Sequence, residues 1–388
     1  MKSIFSLLLI FIMAIANFFG GFAATPADLA AAEDAYVKAE LTSEEKALLT
    51  TVFETETAWL ASLQLENGAI PMTKNDNGTV TMNPYFADIA ALALLDNADK
   101  YSENVKAYMD WHFAHLNTAK TDYNKTDATI YDYTITLENG KIVKEESKGT
   151  YDSTDSYAAT FLTVVNKYYE KTADKAYILA NAKDIARIAD AMLSTINMGL
   201  TYAKPDYKVM YLMDNCEVYE GCVSAANLLG VISSEASEYK LTGTKCEYAA
   251  TWIKDTVENK MWNADGKHYE AGLFSDGSAA FEFKWDEFYP CATAQLFPIV
   301  HGLIAADTIR AKELYDTFSA TFDWEGYNIP SEFCWGSNVL AAALVGDADS
   351  VVEYMVNYAP GMVLHSYPLY NADIARVAMA AYTILNAE

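Results

Sequence analysis

One pattern recurs six times along the chain and limits the folds open to it: a polar, acidic and aromatic stretch runs directly into a long apolar helical pattern. Its clearest copy is 211–230, where Asp214, Glu217, Tyr219 and Glu220 precede Val223, Ala226, Leu228 and Leu229. The other copies open at Asn83-Pro84-Tyr85-Phe86 with Asp88, at Asp152-Ser153-Thr154-Asp155-Ser156-Tyr157, at Trp285-Asp286-Glu287-Phe288-Tyr289, at Ser331-Glu332-Phe333 with Trp335, and at Tyr367 with Tyr370, Asn371 and Asp373. Between them lie amphipathic helices with Lys and Glu on one face. A helix that is apolar nearly all round is surrounded by other elements, whereas a striped one is covered on one side only.

Connections alternate between short and long, and the long ones (65–83, 117–153, 198–215, 262–286, 321–330 and 359–370) each feed an apolar helix. Twelve helices in six pairs therefore imply an all-α fold, an (α/α)6 toroid of six helical hairpins with inner and outer rings. All the long loops and the inner-helix N-termini then share one face. An open solenoid is the alternative, because paired helices also stack in line. Glu138-Asn139-Gly140 between β-forming runs predicts a small β-hairpin insertion near 130–145. Other expected features are a helix capped by Thr42 or Ser43, a single helix over 176–197, a helix over 247–261, a fourth buried helix within 284–304 and a fifth opening at Ser331.

The amino terminus reads as a separate unit. Lys2, an apolar run from Ile4 to Ala16, and small residues around Gly21-Phe22-Ala23 match a secretory signal peptide over 1–23. A polar segment, 24–40, precedes the barrel domain, 41–388, and the protein is expected outside the cell. The net charge of -26 would repel nucleic acid and anionic lipid, so neither is expected as a partner; nor is stable membrane insertion. Five Cys without a CxxC pair suggest neither a zinc site nor a disulfide framework. No cofactor and no metal are expected.

In a ring, the six polar stretches converge on one cavity. Asp, Ser and Asn at helix N-termini are ordinary caps, but caps do not need Trp or Tyr beside them. Aromatic faces stack on pyranose rings, carboxylates bind sugar hydroxyls, and opposed carboxylates hydrolyse glycosides. The expected catalytic carboxylates are Asp214 or Glu287 as acid and Asp155 or Asp286 as base. Tyr85, Asp152, Tyr157, Glu217, Tyr219, Trp285, Tyr289, Glu332, Trp335 and Tyr370 are the expected substrate contacts. The partner is a carbohydrate. A non-catalytic glycan-binding protein and a polysaccharide lyase are the alternatives; an acidic funnel argues against a lyase's anionic sugar unless Lys204, Lys208 or Lys284 reaches inward.

Two segments carry a resemblance to a known family. YDSTDSYAATFLTVVNKYYEKTAD, with Asp155, Phe161, Tyr168 or Tyr169 and Thr172-Ala173-Asp174, resembles the six-hairpin glycosidases of the glucoamylase, invertase and debranching type. Tyr211-Leu212-Met213-Asp214 with Glu217 is similar to their Trp-Met-Asp segment, with Leu212 where the family has an aromatic. The resemblance implies a helical barrel and an inverting hydrolase. A second stretch, TAWLASLQLENGAI, is similar to the Gln-x-x-x-Gly repeat of terpene cyclases, with no Asp-rich diphosphate motif beside it.

Overall fold

A computed structural model describes residues 26–32, 36, 40–361, 365 and 369–387. The expected signal peptide and Tyr367 lie outside these. The helices are α1 (Ser43–Ser62), α2 (Pro84–Leu94), α3 (Ala98–Ala114), α4 (Asp155–Thr172), α5 (Lys175–Ala180), α6 (Ala182–Leu193), α7 (Leu212–Ser233), α8 (Lys240–Thr256), α9 (Phe297–Val300), α10 (Ile309–Thr321), α11 (Ser337–Val345), α12 (Ala348–Tyr358) and α13 (Asn371–Leu385). The fold is all-α with a small β insertion. Among the described residues, no helix is long and apolar enough to cross a membrane.

The apolar helices form the inner layer. Helix α2 packs on α4, α4 on α7, α7 on α9, α9 on α11, α11 on α13, and α13 returns to α2, so the ring closes rather than stacking in line. Helices α1, α3, α6, α8, α10 and α12 lie outside it, each against an inner neighbour. Small side chains allow the inner helices to approach closely: a Cβ on Gly221 of α7 would stand 2.6 Å from Ala159 of α4.

Local chemistry explains the boundaries. Thr42 and Glu45 form a reciprocal capping box at α1. Asn83 caps α2, whose first residue is Pro84. Asp174 caps α5, and its carboxylate also takes Tyr168 Oη at 3.2 Å and Lys106 Nζ at 2.9 Å. The Thr-Ala-Asp turn is thus a structural corner at the far end of α4. The Gln-x-x-x-Gly motif is structural too: Gln64 Nε2 donates to the Gly68 carbonyl at 3.0 Å, and Gly68, at φ 95, leaves no room for a Cβ beneath Ala107.

Several expectations need correction. The helix over 176–197 is two helices, α5 and α6, broken at Asn181. Helix α8 starts at Lys240, and 257–261 continue it as a wider π-helical turn. The fourth inner element is a π-helical turn, Phe288–Ala292, followed by the single-turn α9; Pro290 and Pro298 each remove a helical donor. The fifth inner helix starts at Ser337, leaving 331–335 as loop. The β insertion has three strands: β1 (Gly78–Met82), read as loop from the sequence, pairs antiparallel with β2 (Tyr133–Glu138), which pairs with β3 (Lys141–Ser147) through the Asn139-Gly140 turn. Residues 26–32 of the polar N-terminal segment lie on the barrel, where Asp28 meets the buried Arg310 at 2.9 Å through both oxygens.

Gly221→Ala tests the inner packing. Alanine is the better helix former by about 1 kcal/mol. Overpacking costs about 1–3 kcal/mol, and Ala159 lies on the neighbouring backbone, so the substitution should lower the urea unfolding midpoint. A raised midpoint would show that α4 and α7 are not closely packed.

Candidate active site

The N-termini of α2, α4, α7 and α13 and the loop before α11 converge on two adjoining cavities. The inner one, of 280 Å³, is lined by Tyr85, Tyr157, Asp214, Glu217, Trp335 and Arg376, among others. The outer one, of 400 Å³, has Lys204, Tyr207 and Tyr211 on its wall. Asp152, Ser153, Met213, Asp214 and Tyr289 belong to both. Asp214 therefore stands where the cavities meet.

The carboxylates are not caps. The N-cap positions of α4 and α7 are Thr154 and Tyr211, neither with a side-chain capping bond, and Asp155 and Asp214 lie inside the first turns. A helix N-terminus favours the charged form of such a group. Burial works the other way and wins for both. Asp214 is half-buried, and its carboxyl is pushed well above the usual range by burial, then by the charges of Asp155, Glu217 and Asp152.

Asp155 is fully buried. The Ser156 N–H donates to Oδ1 at 2.9 Å, while Oδ2 has no hydrogen-bond partner among the described residues. Burial pushes this carboxyl up to about 8. That corrects the expectation of Asp155 as base: a carboxyl kept protonated at neutral pH takes no proton. It sits behind the cavity wall as a neutral neighbour of Glu217.

Glu217 is the floor carboxylate. The Tyr85 hydroxyl donates to Oε1 at 2.5 Å, and Arg376 Nη2 donates to the Tyr85 oxygen at 3.3 Å. Burial and the Glu217 charge raise the Tyr85 hydroxyl further above its ordinary range. Tyr157 stacks on Tyr85 with centroids 6.1 Å apart, is held by Asn83 at 2.8 Å, and donates to Asp132 at 3.1 Å. Tyr289 is 54% exposed and leans on Trp335 at 5.2 Å.

Other expected residues lie elsewhere. Asp286 and Glu287 are exposed and line neither cavity, because the break in the fourth inner element leaves them on the loop before it. Tyr219 faces α8, where Lys254 lies 5.6 Å over its ring. Trp285 packs edge-on against Phe283. Glu332 is exposed on the loop before α11. Tyr370 stacks on Phe86, which does line the inner cavity.

Arg376 is a further cavity residue, signalled in the sequence only as a lone cation in the apolar run of α13. Lys204 meets the condition set for an inward-reaching lysine, lining the outer cavity, where its Nζ donates to the Tyr151 carbonyl at 3.4 Å. All five cysteines are free. Among the described residues, no group of three His, Cys, Asp or Glu side chains is placed to hold a metal. A larger groove of 590 Å³ between α7 and α8 has Glu247 as its single carboxylate, so it offers no acid–base pair.

The fold has counterparts among solved structures. The chain superposes on a glycosidase in complex with glucose, with a TM-score of 0.61 at 11% identity over 90% of this chain and 98% of that one. A wild-type glycosidase gives 0.62 at 12% identity over the same shares. The chain has a glycosidase-like fold. A rhamnosidase from Klebsiella oxytoca with rhamnose bound gives 0.55 at 10% identity, covering 92% of this chain and 66% of that one. Identities this low establish the fold alone. No family model and no curated protein matches the sequence.

The raised Asp155 carboxyl has a stability consequence. Between the ordinary carboxylate range and about 8, the folded chain holds a proton at this position that the unfolded chain has released. Stability therefore falls as pH rises through that window. Asp155→Asn removes the titration, so its melting temperature should fall less than wild type between pH 5 and pH 8 (window set by the raised value). Equal falls in both proteins would refute the neutral Asp155.

Proposed function

We propose that this protein is a secreted glycoside hydrolase of the six-hairpin type, acting with inversion on a poly- or oligosaccharide. The observation that carries the reading is Asp214 at the junction of two cavities, its carboxyl kept protonated by burial and surrounding charge. A glycosidic general acid needs a raised pKa and a place beside the bond to be broken. The amino-terminal pattern of 1–23 supports export.

The sugar that becomes the product's new reducing end lies in the inner cavity, against Tyr85, Tyr157 and Trp335. The leaving group lies in the outer cavity, against Tyr207, Tyr211 and Lys204. Asp214 gives its proton to the bridging oxygen. Positive charge then develops at the anomeric carbon, and the surrounding carboxylates stabilise it. Glu217, on the floor, takes the proton of the attacking water. Arg376 reaches it through the Tyr85 hydroxyl, which orients the carboxylate. Asp152, exposed at the rim, keeps Asp214 protonated and accepts sugar hydroxyls.

A lyase is a weaker reading. Lys204 and Arg376 would accommodate an acidic sugar, but a tyrosine base must lose its proton. Burial and neighbouring carboxylates raise the hydroxyls of Tyr85, Tyr157 and Tyr289. The neighbours named above, with bound glucose and rhamnose, support a carbohydrate ligand.

The test is reducing-sugar release from a broad polysaccharide panel. General acid–base residues contribute about 100- to 10,000-fold, so Asp214→Asn and Glu217→Gln should each lose activity on that scale. Asp286→Asn and Glu287→Gln should retain it. Wild type that releases nothing yet binds glycans saturably would favour the binding-protein reading.

A further inference from the structure

Beneath the floor of the inner cavity lies a second chamber of 60 Å³. Glu217 and Arg376 line both. Its other walls come from residues one or two turns deeper along the same inner helices: Ile89 and Leu92 after Tyr85, Thr160 and Thr163 after Ser156, Glu220 after Glu217, and Met379 after Arg376. The chamber therefore points toward the opposite end of the ring.

His301, just after α9, stands in it. Nδ1 lies 2.7 Å from Glu220 Oε2, and Nε2 lies 4.0 Å from Glu217 Oε1. Nε2 is buried and has no hydrogen-bond partner among the described residues. The Glu220 side chain is 38% exposed, so it reaches solvent, whereas Glu217 does not, at 3%. Glu217 and Glu220 are three residues apart on one helix and share a face. The charged groups around the imidazole are these two carboxylates from α7 and Arg376 from α13; α2, α4 and α11 contribute apolar side chains and the two threonines.

We infer that His301 and Glu220 form a proton exit from Glu217 to solvent at the far end of the ring. This rests on the hydrolase reading, in which Glu217 gains a proton at each turnover while the sugar blocks the mouth. The chamber is large enough for a bridging water, which needs about 10–15 Å³ and polar partners. Glu217 returns to carboxylate as its proton passes across that bridge to Nε2. The imidazolium then releases its Nδ1 proton to Glu220, which gives it to solvent, and exchange of the Nε2 proton for one at Nδ1 through water restores the starting tautomer before the next turnover. Each hop moves one proton and conserves charge.

The experiment compares His301→Ala, His301→Asn and Glu220→Gln, with and without imidazole in the buffer, folding being checked by circular dichroism. All three should lower kcat by roughly tenfold, within the span of proton-transfer contributions, with KM unchanged. Imidazole should restore His301→Ala. Asparagine, which keeps a hydrogen bond to Glu220 but carries no proton, should stay slow. Full activity in His301→Asn, or no rescue by imidazole, would overturn the path and leave the hydrolase reading standing. If wild type hydrolyses nothing, the imidazole ¹⁵N spectrum decides: Glu217→Gln should displace the Nε2 signal of His301, and an unmoved signal rejects the link.

Discussion

The close approach of α4 and α7 at Ala159 and Gly221 is the constraint from which the rest follows. Two helices that meet there must bring their N-terminal turns together. Those turns carry Asp155, Asp214 and Glu217, and Asp152 stands just before one of them. Carboxylates crowded at a partly dry site cannot all be charged, because burial and mutual repulsion both favour the protonated form. Burial and repulsion push the Asp155 and Asp214 carboxyls up. On the proposed hydrolase reading, the acid Asp214 and the base Glu217 then differ through environment rather than residue type.

The arrangement depends on what surrounds the cluster. The inner helices use alanine and glycine because each is covered on every side, and the outer helices supply the bulk. Several buried polar groups within the ring are paired across helices. Asp88 accepts the Tyr108 and Thr160 hydroxyls at 2.7 and 2.8 Å and joins three helices. Asp373 accepts the Gly336 N–H at 3.1 Å and joins α13 to the start of α11. Others find no partner among the described residues, including Asp155 Oδ2 and His301 Nε2 near the cavities and the Tyr327 and Tyr354 hydroxyls away from them. Buried groups without partners cost stability.

The hairpin count, the two layers and the convergence of polar N-termini were legible in the sequence because they rest on periodicity and loop length. The residues in the best helical copies, Asp214, Glu217, Tyr85 and Tyr157, reached the cavity as expected. One failure comes from a broken helix. The segment around Trp285, Asp286 and Glu287 has the same composition as its siblings, but Pro290 and Pro298 prevent a continuous helix, so its acids stay on an exposed loop. Tyr219 illustrates a second limit: helical phase decides whether a side chain faces the cavity or the outer ring, and one position turned it toward Lys254. Asp155 was read as an available base because a sequence does not reveal that the next layer seals it. Lys204 was legible as a cation that could reach inward; Arg376 was legible as a charge but not as a cavity wall.

The central claim is that burial and neighbouring charge hold the Asp214 carboxyl in its protonated form. Infrared difference spectroscopy reads this directly, by comparing wild type with Asp214→Asn near neutral pH. The account predicts that Asp214→Asn removes a protonated-carboxyl band. Loss of a carboxylate band in Asp214→Asn would contradict it.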